Sequence, residues 1–219
     1  TRMQKFSNYF PKALLPLGNS TAIDYIINFF SYYKIGKIFI SVNYKKNLIK
    51  SYLKKKKNRK LFFLEEKSFL GSAGPLSLAQ KKIKSDFFVI NCDTIVKINL
   101  NNFYNFHKEN NYDITIVAAL KTFEFPYGAC KVNKKGELTN IIEKPKYSNF
   151  SNVGLYLFKK RILKLIKKNE LMNMDRLINI AKSKRLKIGV FPMNSENWID
   201  VGEWDKYKNQ AKKKNFYDK

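Results

Sequence analysis

Four short stretches of the sequence combine residue types that can hold phosphates, metal ions or sugars. The first covers residues 11–16 and places Lys12 directly after one proline and four residues before another. Because proline fixes its own φ and restricts the residue before it, this stretch predicts a rigid, extended segment that presents one cation at a fixed point. Such a lysine can meet a phosphate, although a surface loop anchored by Leu14 and Leu15 explains the pattern equally well.

The second stretch contains the small residues Gly71, Ser72 and Ala73, a few residues after the apolar run 61–64. Small residues let a ligand approach the backbone, whose N–H groups then face it. Taken alone, the pattern favours a plain connecting loop over a ligand-binding one.

The third candidate site consists of two aspartates, one of which follows an apolar run. Asp93 comes after the run 87–90, and Asp200 lies within residues 198–202 (Trp-Ile-Asp-Val-Gly). Mg²⁺ prefers one or two carboxylates together with phosphate oxygens of a substrate, which two aspartates from distant positions can supply. A helix cap or a turn is the alternative for either residue.

The fourth stretch places Glu143 and Lys144 before Pro145, with Asn152, Val153 and Gly154 shortly after. A carboxylate beside an ammonium group at a strand end can hold sugar hydroxyls and a phosphate. A surface ion pair is the alternative.

Several other kinds of chemistry lack their residues in this sequence. His107 is the single histidine and has no metal-binding residue one helical turn away, so we expect it to be exposed or half-buried. With one histidine and no nucleophile-elbow pattern, the sequence argues against Ser/His/Asp and Cys/His hydrolases. The Walker and G-x-G-x-x-G phosphate loops are also absent from it.

Helical and strand patterns alternate in the first half of the chain, which predicts βαβ units and a mostly parallel sheet with helices on both faces. Ligands bind beyond the carboxyl ends of such strands, where Asp93 lies. The second half predicts an added, partly antiparallel portion. The predicted strands are 37–42, 61–64, 87–90, 114–120, 129–132, 138–142, 153–158 and 187–191; the predicted helices run from Ser20 towards Gly36 and over 48–53, 76–83, 162–168 and 175–183. Because no linker or repeat interrupts the chain, we expect one α/β domain over residues 1–219.

The formal charge of +26 suggests nucleic acid as a partner, because basic residues release counterions from phosphates. Only five of the 43 basic residues are arginine, the side chain that bidentate phosphate and guanine recognition favours. At 44% hydrophobic residues the chain is also too apolar for a disordered polybasic tail. We therefore favour a biased, lysine-rich surface and expect no nucleic acid partner.

Cysteine number and apolar run length bear on the compartment. Cys92 and Cys130 are too few for a disulfide framework or a four-ligand zinc site, which predicts a reducing, cytoplasmic setting. The apolar runs are well short of the ~20 residues that a membrane span needs, and no export leader is recognisable. We expect no membrane contact.

In chain order, these stretches resemble the sugar-1-phosphate nucleotidyltransferases, the NDP-sugar pyrophosphorylase family. Thr1-Arg2 resembles the end of the family's Gly-Gly-x-Gly-Thr-Arg loop, and residues 11–16 match its Pro-Lys-x-Leu-Leu-Pro segment. The further matching pieces are residues 70–73 (Leu-Gly-Thr-Ala, with Ser72 for Thr), 91–93 (Asn-Gly-Asp, with Cys92 for Gly), 127–128, 143–145, 152–154 and 198–202. Together they cover essentially the whole chain.

The resemblance implies a Rossmann-like nucleotide-diphospho-sugar transferase fold with a nucleotide-binding half (1–110) and a sugar-phosphate-binding half (111–219). It implies Mg²⁺-dependent attack of a sugar 1-phosphate on the α-phosphorus of an NTP, with release of pyrophosphate. The implied roles are phosphate binding and catalysis for Arg2, Lys12 and Lys144; base contacts for Gly71, Ser72 and Ala73; Mg²⁺ binding for Asp93 and Asp200; and a sugar-phosphate pocket lined by Tyr127, Gly128, Glu143, Lys144 and Asn152.

The finer expectations also depend on the resemblance. Residues 125–128 and 173–178 are most similar to guanylyltransferases acting on mannose, heptose or hexosamine phosphates, which favours GTP; thymidylyl-, uridylyl- and cytidylyltransferases stay open. The family's first strand and the Gly-Gly-x-Gly part of its loop would lie before Thr1, so we expect a fragment of a longer parent. A homo-oligomer is expected because the family forms them. The alternatives are an inactive fragment and a non-catalytic, basic nucleic-acid-binding or regulatory module with the same fold.

Overall fold

The computed structural model describes residues 10–55 and 61–202. In chain order its main elements are β1 (Pro16–Leu17), β2 (Ser20–Thr21), α1 (Ala22–Tyr32), β3 (Ile38–Val42), α2 (Lys46–Lys54), β4 (Leu61–Glu65), β5 (Phe87–Ile90), β6 (Thr94–Val96), α3 (Leu100–Glu109), β7 (Ile114–Glu124), β8 (Ala129–Val132), β9 (Leu138–Ile142), β10 (Lys146–Phe158), α4 (Met174–Ser183), β11 (Ile188–Met193) and β12 (Trp198–Asp200). Short 3₁₀ helices cover Lys12–Leu14, Gly74–Ala79, Lys160–Leu165 and Ser195–Asn197. None of the helices in the described part of the chain combines the length and apolar character that a membrane crossing requires.

Four strands form the main sheet in the order β11-β7-β10-β5. β10 runs antiparallel to both β5 and β7, and β11 runs parallel to β7, so β10 alone is reversed. β3 and β4 form a separate parallel pair joined through α2, as expected for a βαβ unit. The remaining pairs, β1-β2, β6-β12 and β8-β9, are antiparallel. The predicted mixed α/β architecture is confirmed, although β5 pairs with β10 from the second half and not with the parallel strands before it.

Side chains alternate between the two faces of β10, and each face packs against different helices. Leu155 and Leu157 belong to a core that includes Phe30 of α1 and Phe103 of α3. Tyr156 and Phe158 point to a second core that includes Leu177 of α4. The sheet is therefore covered on both faces, as the sequence predicts.

The residue that caps the start of helix α1 is Thr21, one residue after the predicted Ser20. The Thr21 hydroxyl accepts a hydrogen bond from the Asp24 N–H, while the Asp24 carboxylate accepts one from the Thr21 N–H, a reciprocal cap that satisfies two otherwise unpaired donors. The helix ends at Tyr32, four residues before Gly36, because Lys34 adopts a left-handed φ of 57°. The N–H of Ile35 then donates to the carbonyl of Phe30 and closes the helix end.

Three local predictions are wrong, and in each the chain is more tightly turned than expected. The segment after Pro11 is a 3₁₀ turn and not extended, since the Leu14 N–H donates to the Pro11 carbonyl. The predicted α-helices over 76–83 and 162–168 are the 3₁₀ segments Gly74–Ala79 and Lys160–Leu165. Gln80 ties these two segments together by donating to the carbonyls of Leu163 and Ile166, contacts that no local pattern encodes.

His107 is fully buried, so the prediction of an exposed or half-buried histidine is wrong. It lies on the same stripe of α3 as Leu100 and Phe103, the face that packs into the core. Its Nδ1 lies 2.7 Å from the Thr115 hydroxyl on β7. Burial lowers the pKa of His107, because an apolar environment disfavours the charged imidazole.

Candidate functional site

Asp93 and Asp200 come together because β6 and β12 pair antiparallel. Asp200 stands opposite Thr94 in this ladder, and the N–H of Val201 donates to the carbonyl of Asp93 at 2.8 Å. The Asp200 carboxylate accepts the N–H of Gly202 at 2.8 Å. The two aspartates, distant in sequence, therefore lie on adjacent backbone segments fixed by main-chain hydrogen bonds.

Lys12 brings a cation to the same place. Its Nζ lies 3.5 Å from Asp93 Oδ2. A Cβ on Gly202 would lie 2.9 Å from Asp200 Oδ1, 3.5 Å from Asp93 Oδ2 and 3.6 Å from Lys12 Nζ, so the three charged groups surround one small space. Because the lysine and aspartate side chains are 37% and 23% exposed, their ion pair adds little to stability and remains accessible to a ligand.

A cavity of about 170 Å³ opens beside the two carboxylates. Its wall carries neutral hydrogen-bonding groups as well as acidic ones. The lining residues are Asn91, Asp93, Thr94, Asn152, Val153, Gly154, Tyr156, Trp198 and Asp200. Amides and hydroxyls next to carboxylates suit a ligand that carries several hydroxyl groups and is accompanied by a cation.

An irregularity in β10 shapes this cavity. The register of β10 against β7 shifts after Asn152, and Gly154 within the shifted part adopts a φ of 86°. A Cβ there would lie 2.5 Å from Asn91 Nδ2, so only glycine fits. The Gly154 carbonyl accepts the Asn91 N–H at 2.9 Å, and the Val153 carbonyl accepts the Thr94 hydroxyl at 2.8 Å. The bulge thus fastens β10 to the turn that carries the first aspartate.

The donor set beside the cavity consists of two carboxylates, which suit a hard divalent cation. Among residues 10–55 and 61–202, no group of three or more histidine, cysteine, aspartate or glutamate side chains is arranged to hold a metal ion. Asp93 and Asp200 supply two carboxylates on one space, and Mg²⁺ is commonly held by one or two carboxylates with water and substrate phosphates completing its shell. The pair therefore suits Mg²⁺ bound together with a phosphorylated ligand.

The turn at Gly71, Ser72 and Ala73 packs against the segment that leads into α4. The N–H of Ala73 donates to the carbonyl of Met172 at 2.9 Å, and Ala73 is fully buried. The Ser72 hydroxyl accepts the N–H of Met174, the first residue of α4, at 2.8 Å. Gly71 has a φ of 79°. Of these three predicted base-contacting residues, Ser72 is the one exposed to solvent.

Four of the predicted sugar-phosphate residues lie on or beside the β8–β9 hairpin. A Cβ on Gly128 would lie 3.1 Å from Glu143 Oε2, so these two residues are neighbours across the hairpin. Tyr127 is 69% exposed, and Lys144 is exposed at the end of β9. None of the four belongs to the wall of the cavity beside the aspartates, whereas Asn152 does.

Lys144 has an unusual backbone conformation. Its φ of 44° is left-handed, and the residue after it is Pro145, which disfavours helical conformations at the preceding position. Holding a β-carbon-bearing residue there costs about 1–2 kcal/mol. Left-handed φ angles also occur at Lys34 and Lys45, beside the ends of α1 and α2, so this conformation by itself does not mark Lys144 as a site residue.

Two residues of the cavity wall were not predicted from the sequence, and one predicted site residue falls outside the part of the chain that the structure describes. Arg2 lies outside the described residues. Tyr156 and Thr94 line the cavity, yet each stands in an apolar run with no motif of its own. The one usable signal for Tyr156 is a polar group on a strand whose other residues are apolar, four positions after Asn152.

Comparison with known proteins agrees with these observations. The model of the nucleotidyl transferase family matches residues 1–215. Over 207 residues the chain is 30% identical to the probable mannose-1-phosphate guanylyltransferase 3 of Arabidopsis thaliana, covering 88% of this chain and 61% of that protein. Over 220 residues it is 29% identical to the bifunctional protein GlmU of Methanococcus aeolicus, covering 94% of this chain and 50% of that protein. The chain thus spans about half the length of the curated relatives it matches.

A solved structure shares the fold. HddC from Yersinia pseudotuberculosis, complexed with GMP-PN, superposes with a TM-score of 0.73 at 21% identity, covering 94% of this chain and 91% of that chain. The family match extends over nearly the whole sequence and includes every stretch that builds the cavity. The chain belongs to the nucleotidyl transferase family.

Proposed function

We propose that this chain acts as a sugar-1-phosphate nucleotidyltransferase, joining an NTP and a sugar 1-phosphate into an NDP-sugar with release of pyrophosphate. The observation that carries the proposal is the convergence of Lys12, Asp93 and Asp200 around one space, in a chain of the nucleotidyl transferase family. A cation and two metal-binding carboxylates beside a hydroxyl-binding cavity are what two phosphorylated substrates require.

The reaction needs no general base. The second pKa of a phosphate monoester is about 6, so the sugar 1-phosphate is already a nucleophile near neutral pH. One of its oxygens bonds to the α-phosphorus, the bond from that phosphorus to the bridging oxygen breaks, and pyrophosphate leaves with the electron pair. The single histidine is buried against Thr115 and is not required.

The barrier that remains comes from repulsion between anions and from their orientation. Asp93 and Asp200 would hold Mg²⁺, which neutralises phosphate charge and orients the triphosphate. Lys12, at 3.5 Å from Asp93, is placed to exchange that contact for a phosphate oxygen. Arg2 and Lys144 are proposed to supply further positive charge to the phosphates.

The substrates are assigned from the site and from the relatives. Asn152, in the cavity wall, is proposed to contact the sugar, and Tyr127, Gly128, Glu143 and Lys144 the sugar phosphate. The turn of Gly71, Ser72 and Ala73 is proposed to contact the base. Relatives named mannose-1-phosphate guanylyltransferase or guanyltransferase favour GTP with mannose 1-phosphate, and the heptose and hexosamine 1-phosphates that the sequence resemblance implies are the other candidates.

A pyrophosphate-release panel tests the proposal. The full-length protein is combined with each of the common NTPs and with mannose, heptose, glucosamine and glucose 1-phosphates, with Mg²⁺ or with a chelator. We expect saturable release for one NTP and a narrow set of sugars, fastest with GTP, that stops when Mg²⁺ is removed. No release above background with any combination would contradict the proposal.

The charge of +26 supports one alternative, a basic nucleic-acid-binding or regulatory module that keeps the fold without the reaction. The presence of Lys12 beside both carboxylates, together with Lys144, argues against it, because a module without the reaction does not need a metal-binding pair of carboxylates. Steeply salt-dependent RNA or DNA binding without saturable NTP binding would favour this alternative.

A further inference from the structure

Tyr156 lies in the wall of the cavity, yet the proposed reaction gives it no role. It is 3% exposed, and its ring packs against that of Phe158 at a centroid distance of 5.7 Å. Its hydroxyl accepts a hydrogen bond from Asn152 Nδ2 at 2.7 Å. A buried ring with a polar tip at the cavity is held in one orientation by its packing.

Both ends of the Asn152 carboxamide are fixed by this arrangement. Its Oδ1 accepts the N–H of Gly154 at 2.9 Å, while its Nδ2 donates to the Tyr156 hydroxyl. Because a backbone N–H can only donate, the amide oxygen must face Gly154 and the nitrogen must face the tyrosine. Each end keeps capacity for one more hydrogen bond, a donor on Nδ2 and an acceptor on Oδ1.

The bulge of β10 makes this contact possible. In a regular strand, residues four apart point to the same face but are too far apart for their side chains to hydrogen-bond. The register against β7 shifts between Asn152 and Tyr156, which shortens the strand locally. Burial also raises the pKa of Tyr156, which keeps its hydroxyl neutral well above physiological pH.

We propose that Tyr156 is a positioning residue that locks the Asn152 carboxamide so that its remaining donor and acceptor bind two adjacent ring hydroxyls of the sugar 1-phosphate. Adjacent hydroxyls offer one acceptor and one donor at a spacing that a single carboxamide can span. The substrate class is therefore a pyranose 1-phosphate with an unmodified pair of neighbouring hydroxyls. This inference rests on the proposed function.

The test replaces the hydroxyl and keeps the ring. In Tyr156→Phe, the KM for the sugar 1-phosphate is expected to rise about tenfold, as for the loss of one hydrogen bond of about 1.4 kcal/mol. The KM for the NTP and kcat are expected to change less than twofold. Tyr147→Phe, an exposed tyrosine of the same strand, is the control and should leave both KM values unchanged. Equal rises in the two KM values would overturn the proposal, because a merely structural role predicts them.

A double-mutant comparison and a substrate series complete the test. In an Asn152→Ala background, Tyr156→Phe is expected to add less than twofold to the sugar KM, because its effect passes through Asn152; additive effects would overturn the proposal.

The wild-type protein should bind one or more monodeoxy sugar 1-phosphates about tenfold more weakly than the parent sugar. Equal binding of every deoxy analogue would overturn it even if the Phe variant fails to fold. A wild-type protein that releases no pyrophosphate contradicts the proposed function itself.

Discussion

The two ends of the proposed site are built in different ways. Asp93 and Asp200 stand on paired backbone segments whose neighbours Thr94, Ile199 and Val201 are at most 4% exposed. Glu143 and Lys144 lie on a two-stranded hairpin whose Ile141 and Ile142 are 59% and 43% exposed. The end with the aspartates is thus held in place by the core, whereas the hairpin end is held by a two-strand ladder and one strained turn.

This difference indicates that the aspartate end stabilises the reacting phosphates and that the hairpin contributes to substrate binding. Electrostatic stabilisation of phosphates requires groups that are already in place when charge develops, and the buried ladders around the aspartates provide that. Sugar-phosphate contacts on an exposed hairpin can be completed by the substrate itself. We therefore expect substitutions at the aspartate end to change the rate of reaction, and substitutions on the hairpin to change substrate affinity more than stability.

The largest effect is expected at the aspartates. Asp93→Asn and Asp200→Asn keep side-chain shape and remove the charge that would hold Mg²⁺, so kcat/KM should fall by about 10²–10³ with little change in melting temperature. Asp86→Asn is the control, because Asp86 is a partly exposed aspartate that pairs with Lys108. A loss of similar size in the control, or near-normal turnover in both site variants, would break the distinction between the two ends.

Asp113 would be a poor control despite being remote from the motifs in sequence. It is 1% exposed, forms an ion pair with Arg161 and accepts the N–H of Lys187 at 2.9 Å. Asp113→Ala is expected to leave the metal dependence of turnover intact while lowering stability by about 3–5 kcal/mol, because it leaves the partners of a buried carboxylate unpaired.

Two glycines provide a matched comparison of the two ends. Gly154 and Gly136 have similar φ angles, 86° and 82°, so alanine at either costs about 1–2 kcal/mol of backbone strain. At Gly154 the new Cβ also meets Asn91 Nδ2 at 2.5 Å, whereas at Gly136 it meets nothing within 4 Å. Denaturant unfolding should show a larger loss of stability for Gly154→Ala, together with loss of activity. Gly136→Ala should lose only the ~1–2 kcal/mol of backbone strain from its free energy of unfolding and should keep its kcat. Equal losses of stability in the two variants would contradict the proposed role of the bulge.

A substitution at Lys144 should affect activity and stability in opposite directions. Lys144→Gly relieves the left-handed backbone, so the melting temperature should stay the same or rise, while the lost charge should lower kcat/KM about tenfold or more. Lys45→Gly is the control, because Lys45 has a similar φ of 52° and lies before α2. If Lys144→Gly retains full kcat/KM, Lys144 has no part in phosphate binding.

The smallest expected effect is the pH dependence of stability that the buried His107 causes. Since burial lowers the pKa of His107 in the folded state, the unfolded chain binds its proton more readily below pH ~6.5. Stability should therefore fall as the pH drops through that value, by up to about 1.4 kcal/mol per pH unit from this residue. Urea unfolding at pH 7.5 and 5.5 checks this, and the pH slope should shrink in His107→Gln. An unchanged slope in that variant would contradict the burial of a neutral imidazole.

The sequence predicts the parts of the site that rest on local signals. Asp93 follows an apolar run, and the hairpin strands Ala129–Val132 and Leu138–Ile142 have the predicted boundaries, because alternation and turn residues define them. Two features could not be predicted: the pairing of β5 with β10 and the contact of Tyr156 with Asn152. The first depends on a partner far away in the sequence and the second on a bulge that changes which residues face each other, and single-chain patterns carry neither. The burial of His107, in contrast, follows from its helical spacing to Leu100 and Phe103, a local signal that the sequence prediction did not use.

Asp93 and Asp200 are proposed to hold a divalent ion against the phosphates of a nucleotide. The most direct measurement is a crystal structure of the full-length protein with Mn²⁺ and a non-hydrolysable GTP analogue, recorded at the manganese absorption edge. An anomalous peak coordinated by both carboxylates and by phosphate oxygens of the analogue is predicted. An ordered nucleotide whose metal is bound by other residues, or by none, would contradict it.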